Sequence, residues 1–101
     1  MLNRNLALIT EEAGEVLQLV GKTYRFGPDS YKPSDPNQIS NRELLILECM
    51  DLYAVLHKFL TDEGVDSVVL DEHIALRTER ELEYRNLELL NQEAMDKALN
   101  G

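Results

Sequence analysis

The first stretch of the chain with helical spacing runs from Asn3 to about Thr23. Apolar residues recur there at steps of three and four, as on one side of an amphipathic α-helix. Asn3 or Asn5 is expected to cap its start, and Gly27-Pro28 ends the region. All three prolines lie between Gly27 and Ser40, so this segment is predicted to be a loop.

A second helix is predicted from about Asn41 to Asp62. Ser40 offers an N-cap and Glu43 follows three residues later, which is the capping-box pattern. Gly64 is expected to stop this helix.

The last third of the chain also consists of helix-forming residues. Asp66 or Ser67 can cap a helix there, and residues 69–99 contain no proline, so one long helix or two shorter ones are expected. The apolar spacing is weaker than in the first two helices, with many charges between the apolar residues. The fold class is therefore predicted to be all-α, with three to four helices in a single domain of residues 1–101.

Carboxylates interrupt the apolar side of the first helix. At 3.6 residues per turn, Glu12 falls inside the apolar arc, and Glu15 and Glu11 lie just beside it, past Leu8. The arc consists of Leu8, Ile9, Ala13, Val16, Leu17, Leu19 and Val20. Glu11 and Glu15 are one turn apart and point the same way.

The second helix shows the same feature more clearly. Glu48 lies at the centre of its apolar stripe, and Asp51 lies at the edge of the stripe on the same side. The stripe consists of Leu44, Leu45, Leu52, Val55, Leu56 and Phe59.

These five acids need a counter-ion that the two stripes do not contain. Burial of an unpaired carboxylate is unfavourable, and like charges one turn apart repel. The nearest basic residues are Lys22, which flanks the first cluster, and Lys58, near the side of Asp51. A divalent cation with oxygen ligands, Mg²⁺ or Mn²⁺, would resolve the conflict, and five acids are enough for more than one ion.

Two short motifs on successive helices resemble a known family. Glu11-Glu12-Ala13-Gly14-Glu15 matches E-E-x-x-E, and Glu48-Cys49-Met50-Asp51 matches E-x-x-D. The run from Lys22 to Gly27 matches K-x-x-R-F-G. The motifs, in this order on the apolar sides of two helices, are similar to those of MazG-like nucleoside triphosphate pyrophosphohydrolases, over roughly Leu6 to Phe59.

This resemblance implies an activity and a set of site residues. It implies a MazG-like helical bundle completed by oligomerisation, a bound Mg²⁺, and hydrolysis of a nucleoside or deoxynucleoside triphosphate to the monophosphate and pyrophosphate. The expected metal ligands are Glu12, Glu15, Glu48 and Asp51. Glu11 and Glu12 are the expected catalytic residues, with Glu11 either a further ligand or the base, and Lys22 and Arg25 are the expected contacts to phosphate.

Composition and charge restrict the partners and the location. The net charge of −9 argues against nucleic acid, which is bound by clustered Lys and Arg. The single cysteine, Cys49, lies in an apolar run and is expected to be a buried thiol without an internal disulfide. Arg4 and three glutamates interrupt the first twenty residues, and no apolar run is long enough for a membrane span, so a cytoplasmic protein is expected. Wide apolar arcs on a short chain predict a homodimer or homotetramer.

Three other interpretations stay open or are disfavoured by the sequence. Within the superfamily, the substrate could instead be dUTP or a phosphoribosyl nucleotide. A non-enzymatic helical interaction protein would use the leucine-bearing segment 79–99, but it would not need Glu48. A di-iron carboxylate bundle is disfavoured because neither His57 nor His73 has a glutamate three residues before it.

Overall fold

The computed structural model describes residues 1–100 and contains three helices in that range. They are α1 (Leu2–Phe26), α2 (Asn41–Asp62) and α3 (Ser67–Asn100). The described residues form no strand beyond an isolated antiparallel bridge between Tyr31 and Ser40, which confirms the all-α prediction. The last helix is a single one. The chain divides into two compact units, residues 1–64 and 65–101, and the prediction of one domain stays a prediction.

α1 and α2 pair in antiparallel orientation within the first unit. Near the start of α1, Asn5 Nδ2 donates to Oδ2 of Asp62, the last residue of α2, at 2.8 Å. Beyond the other end of α1, the carbonyl of Gly27 accepts from Asn41 Nδ2 at the start of α2, at 3.1 Å. Both asparagines are buried, so these side-chain bonds lie where water does not compete for them.

The capping box at the start of α2 is confirmed on its serine side. Ser40 has extended backbone angles, and its Oγ accepts from the backbone N–H of Glu43 at 3.1 Å. This bond satisfies one of the amides that the first helical turn leaves without a partner. The predicted bounds of α2 agree with the structure for the same reason, because the signal is local.

The expected cap of α1 is wrong. The helix begins at Leu2, before Asn3, and its N-cap Met1 makes no side-chain cap hydrogen bond. Asn5 lies inside the helix and uses its amide to contact Asp62 instead. α1 also continues past Thr23 to Phe26 and ends at Gly27, whose φ of 91° favours glycine.

The proline-containing segment between α1 and α2 is held by hydrogen bonds. The Asp35 carboxylate accepts from the backbone N–H groups of Asn37 at 2.9 Å and Ile39 at 3.0 Å, which fixes the turn. The backbone N–H of Asn41 donates to Ser30 O at 2.8 Å, and so ties the loop to the start of α2. The loop therefore fixes how α2 returns along α1.

Three expectations about burial are wrong. Leu17 was placed in the apolar arc of α1 and Leu56 in the stripe of α2, but these side chains are 70% and 38% exposed. Cys49 is exposed rather than buried. Among the described residues, Leu19 is the one apolar side chain in the buried class. In α3 only Leu70 is half-buried, and every later described residue is exposed. None of the three described helices combines the length and apolar character needed to cross a membrane.

Candidate metal centre

The antiparallel pair brings carboxylates of both helices together. Glu12 of α1 and Glu48 and Asp51 of α2 each offer an oxygen, and these three oxygens lie within 4.8 Å of one another. Glu48 and Asp51 are three residues apart, so one turn of α2 presents both on the side that faces α1. We call Glu12, Glu15, Glu48 and Asp51 the acidic cluster.

Glu15 belongs to the cluster through its neighbours. Its carboxyl group lies within hydrogen-bonding reach of both Glu48 and Glu12. A hydrogen bond between two carboxyl groups requires that one of them carry a proton. The four predicted ligands therefore come together where α1 and α2 face each other.

Two oxygens of the cluster are buried without a partner. Glu12 and Glu48 are half-buried, whereas Asp51 is exposed. Oε2 of Glu12 and Oε2 of Glu48 are shielded from solvent and accept no hydrogen bond. Buried polar atoms almost always have a partner, so these two carboxylate oxygens on facing helices lack a hydrogen-bond donor or a counter-charge.

The electrostatics of the cluster favour protonation of Glu48. The hydrogen bond with Glu15, burial, and then the charges of Glu15, Asp51 and Glu12 raise the pKa of Glu48 to about 7. The pKa of Glu12 is also raised, first by burial and then by the charge of Glu15, with Asp51 and Glu11 adding to the effect. Both pKa shifts have the same cause, because the paired helices hold several carboxyl groups close together.

No lysine or arginine of residues 1–100 forms an ion pair with the cluster. Lys58, which the sequence placed near Asp51, instead binds Asp62 at 2.8 Å. Lys22 is exposed and forms no ion pair with the described residues. Arg25 is also exposed, and its guanidinium lies 5.5 Å from the centre of the Phe26 ring. Among the described residues, no basic side chain therefore neutralises the cluster.

A hard divalent cation fits this donor set. Mg²⁺ and Mn²⁺ prefer carboxylate oxygens, and Mg–O distances of about 2.1 Å place opposite ligands about 4.2 Å apart. The three oxygens lie within 4.8 Å of one another, so the side chains would have to rotate to bring all three into one coordination shell. Glu12, Glu48 and Asp51 would be the first ligands, with Glu15 beside them.

The remaining predicted site residues lie outside the cluster. Glu11 is exposed, and it reaches the site through its charge, which contributes to the raised pKa of Glu12. Lys22 follows Glu15 by seven residues, about 10 Å along α1 and on nearly the same side of the helix. Arg25 lies almost one turn further on. A role in phosphate binding for Lys22 and Arg25 stays a prediction.

The sequence did not reveal the residues that position the cluster. Asn5, Asp62 and Lys58 form a group in which Asp62 Oδ2 accepts from both partners at 2.8 Å. These two hydrogen bonds lower the pKa of Asp62 and keep its carboxylate charged. Of these two contacts, the sequence indicates only the one between Lys58 and Asp62, which are four residues apart on a helix. Asn5 is 57 residues from Asp62, so no local pattern predicts their contact.

Comparison with known proteins identifies no relative. No protein-family model, no curated protein and no solved structure matches this chain. The resemblance to MazG-like enzymes therefore depends on the sequence motifs E-E-x-x-E, E-x-x-D and K-x-x-R-F-G alone.

Proposed function

We propose that the protein is a MazG-like pyrophosphohydrolase. It would hydrolyse nucleoside or deoxynucleoside triphosphates to the monophosphate and pyrophosphate in a reaction that depends on Mg²⁺, with Mn²⁺ as a substitute. The observation that supports this most is the meeting of Glu12, Glu48 and Asp51 within 4.8 Å, with two carboxylate oxygens buried and unpartnered. A purely structural helix pair has no use for that arrangement, because it opposes folding.

The acidic cluster would hold the cation and, through it, the substrate. Glu12, Glu15, Glu48 and Asp51 supply oxygens only, and a triphosphate would be repelled by them alone. When bound, the cation supplies neutralisation of phosphate charge and acidification of water. The protein contributes ligands on two helices whose relative position is fixed by Asn5 and Asn41.

A glutamate at the edge of the cluster would remove the proton from the attacking water. The water oxygen forms a bond to the α-phosphorus, its proton moves to a carboxylate, and the bond to pyrophosphate breaks. Glu12 suits this role because its raised pKa brings it closer to neutrality, where a general base is most effective. Glu11 is the second candidate, because its exposed carboxylate adjoins the cluster without being committed to it.

Lys22 and Arg25 would contact the far phosphates. They follow the cluster along α1, at about 10 and 15 Å from Glu15 along the helix axis. Neither forms an ion pair with the described residues, so both are available to an anionic ligand. The triphosphate would then extend from the cluster toward the C-terminal end of α1.

Self-association is part of the proposal. Large apolar side chains are exposed within each unit, among them Leu17, Met50 and Tyr53 in the first and Leu82, Leu87 and Leu90 in the second. A homodimer or homotetramer would cover this surface. We further propose a cytoplasmic location, which suits the nucleotide substrate.

The alternative is a non-enzymatic helical interaction protein. The observation that favours it is α3, in which the apolar residues after Leu70 are all exposed and suit a helical partner. This alternative leaves the orphaned oxygens of Glu12 and Glu48 without a purpose. Hydrolysis of dUTP or of a phosphoribosyl nucleotide would be a variant of the same chemistry. The rates on these substrates would show which of them the enzyme prefers.

The test is pyrophosphate release from a panel of common and modified nucleoside triphosphates, dUTP and a phosphoribosyl nucleotide, with and without Mg²⁺. We expect metal-dependent release that falls at least a hundredfold in Glu48→Gln, which keeps the shape and removes the charge. Glu63→Gln makes the same change at an exposed glutamate outside the cluster and should leave the rate unchanged. Near-normal activity in Glu48→Gln would refute the site, and no release from any substrate would favour the interaction protein.

A further inference from the structure

The sequences of α1 and α2 correspond to each other when one is shifted by 36 positions. Aligned in this way, each helix carries an asparagine, a glutamate, a second carboxylate and a lysine in the same order and at the same spacing. The corresponding pairs are Asn5 and Asn41, Glu12 and Glu48, Glu15 and Asp51, and Lys22 and Lys58. The two helices are therefore two versions of one polar pattern.

Corresponding residues also have the same surroundings in the structure. Asn5 and Asn41 are both buried, and each donates its Nδ2 to the end of the opposite helix. Their acceptors, Asp62 and Gly27, are only one position away from correspondence. The glutamate seven residues after each asparagine has a buried Oε2 without a hydrogen-bond partner. Antiparallel helices with such reciprocal contacts are related by an approximate two-fold axis, and the acidic cluster lies about this axis.

The approximate symmetry gives the acidic cluster a lysine at each end. Lys22 follows Glu15 by seven residues, and Lys58 follows Asp51 by seven, which is about 10 Å along each helix. Seven residues are nearly two full turns, so each lysine lies on almost the same side of its helix as the carboxylate before it. Because the helices are antiparallel, the two lysines extend the site in opposite directions.

The symmetry is broken four residues after each lysine. After Lys58 this position is Asp62, whose Oδ2 accepts from the lysine Nζ at 2.8 Å. After Lys22 it is Phe26, and Lys22 forms no ion pair with the described residues. Arg25 adds a second cation at this end, with its guanidinium 5.5 Å from the centre of the Phe26 ring. One end of the cluster is therefore cationic, and at the other end the cation is neutralised.

We propose that this difference fixes the direction of the substrate, with its β- and γ-phosphates toward Lys22 and its nucleoside toward Lys58 and Asp62. The inference rests on the proposed function. The β- and γ-phosphates carry most of the negative charge of a triphosphate, which an unpaired ammonium attracts and the Asp62 carboxylate repels. When the bond between the α-phosphorus and pyrophosphate breaks, pyrophosphate leaves from the Lys22 end. Asp62 is thus the residue that determines orientation, because it occupies Lys58.

Separate binding of the two products tests the orientation, because each product fills one half of the site. Isothermal titration calorimetry of the full chain in Mg²⁺ measures the affinities for inorganic pyrophosphate and for the monophosphate of the best substrate. Lys22→Ala removes one charge-assisted contact, so it should lower the affinity for pyrophosphate about tenfold and leave that for the monophosphate unchanged. Lys32→Ala removes an exposed lysine of the loop and should change neither affinity.

Phe26→Asp tests the position at which the symmetry is broken. It offers Lys22 a carboxylate four residues away, as Asp62 does for Lys58, so the affinity for pyrophosphate should again fall about tenfold. Phe26→Asn is the matched control, because it also removes the ring but adds no charge, and it should retain the affinity for pyrophosphate. Helical circular dichroism checks that each variant is folded.

Several results would overturn the proposed orientation. They are an unchanged affinity for pyrophosphate in Lys22→Ala or Phe26→Asp, an equal loss in Phe26→Asn, and a loss in Lys58→Ala in place of Lys22→Ala. If the parent chain still releases pyrophosphate from a triphosphate, any of these results removes the orientation alone. A parent that releases no pyrophosphate removes the proposed function, and the orientation with it.

Discussion

Binding of Mg²⁺ to the acidic cluster should release a proton in a strongly pH-dependent way. With the pKa of Glu48 at about 7, this carboxyl group is protonated in about 0.9 of the molecules at pH 6, 0.5 at pH 7 and 0.1 at pH 8. A cation ligand must be deprotonated, so binding displaces that fraction of a proton. The apparent affinity for Mg²⁺ should consequently fall about fivefold from pH 7 to pH 6.

Isothermal titration calorimetry in buffers of different ionisation enthalpy measures the number of protons released. Glu48→Gln is the informative control, because it removes the titrating group while it keeps the shape of the side chain. Its affinity for Mg²⁺ should be lower and should change much less between pH 6 and pH 8. A parent that binds Mg²⁺ with no proton release at pH 6 would show that Glu48 is not a ligand, and the absence of binding at every pH would remove the metal centre altogether.

Three further predictions concern stability. In the metal-free protein, the raised pKa of Glu48 means that the folded chain holds a proton more tightly than the unfolded chain. This stabilisation is complete below about pH 4.5 and lost as pH rises through about 7, so thermal melts from pH 5 to pH 8 should show a falling contribution to Tm that is absent in Glu48→Gln. Asn5→Ala removes a buried hydrogen bond between α1 and α2 and should cost about 1–3 kcal/mol in urea unfolding, and a loss below 0.5 kcal/mol would contradict its role. Ser40→Ala should cost about 1 kcal/mol by the same measurement, whereas the exposed Ser34→Ala should change stability little.

The features that the sequence predicted well are those encoded within one or two turns of helix. Ser40 marked the start of α2 because the cap and the amide it accepts from are three residues apart. Glu48 could be placed on the side that faces α1 because the period of the helix fixes its direction relative to its leucine neighbours. The cluster followed from two such local patterns once the helices were assumed to pair.

The features that the sequence did not predict depend on distant contacts or on a choice between equal surfaces. Asn5 has the character of a cap, and only its contact with Asp62, 57 residues away, shows that it joins two helices. Cys49 was expected to be buried because it lies in an apolar run, and only the packing of α2 against α1 shows that its thiol is exposed. The length of α3 was left open because its charges and leucines alternate without a clear period.

The two asparagine contacts have a consequence for how the acidic cluster meets its ligand. Asn5 joins the helices on one side of the cluster and Asn41 ties the start of α2 to the end of α1 on the other, so the acids cannot relieve their repulsion by moving the helices apart. The site is therefore preorganised. Folding already brings the carboxylates close together. A cation that binds afterwards would therefore require only rotations of their side chains. If the cluster binds Mg²⁺ as proposed, the ion would be released and recaptured without opening the protein around it.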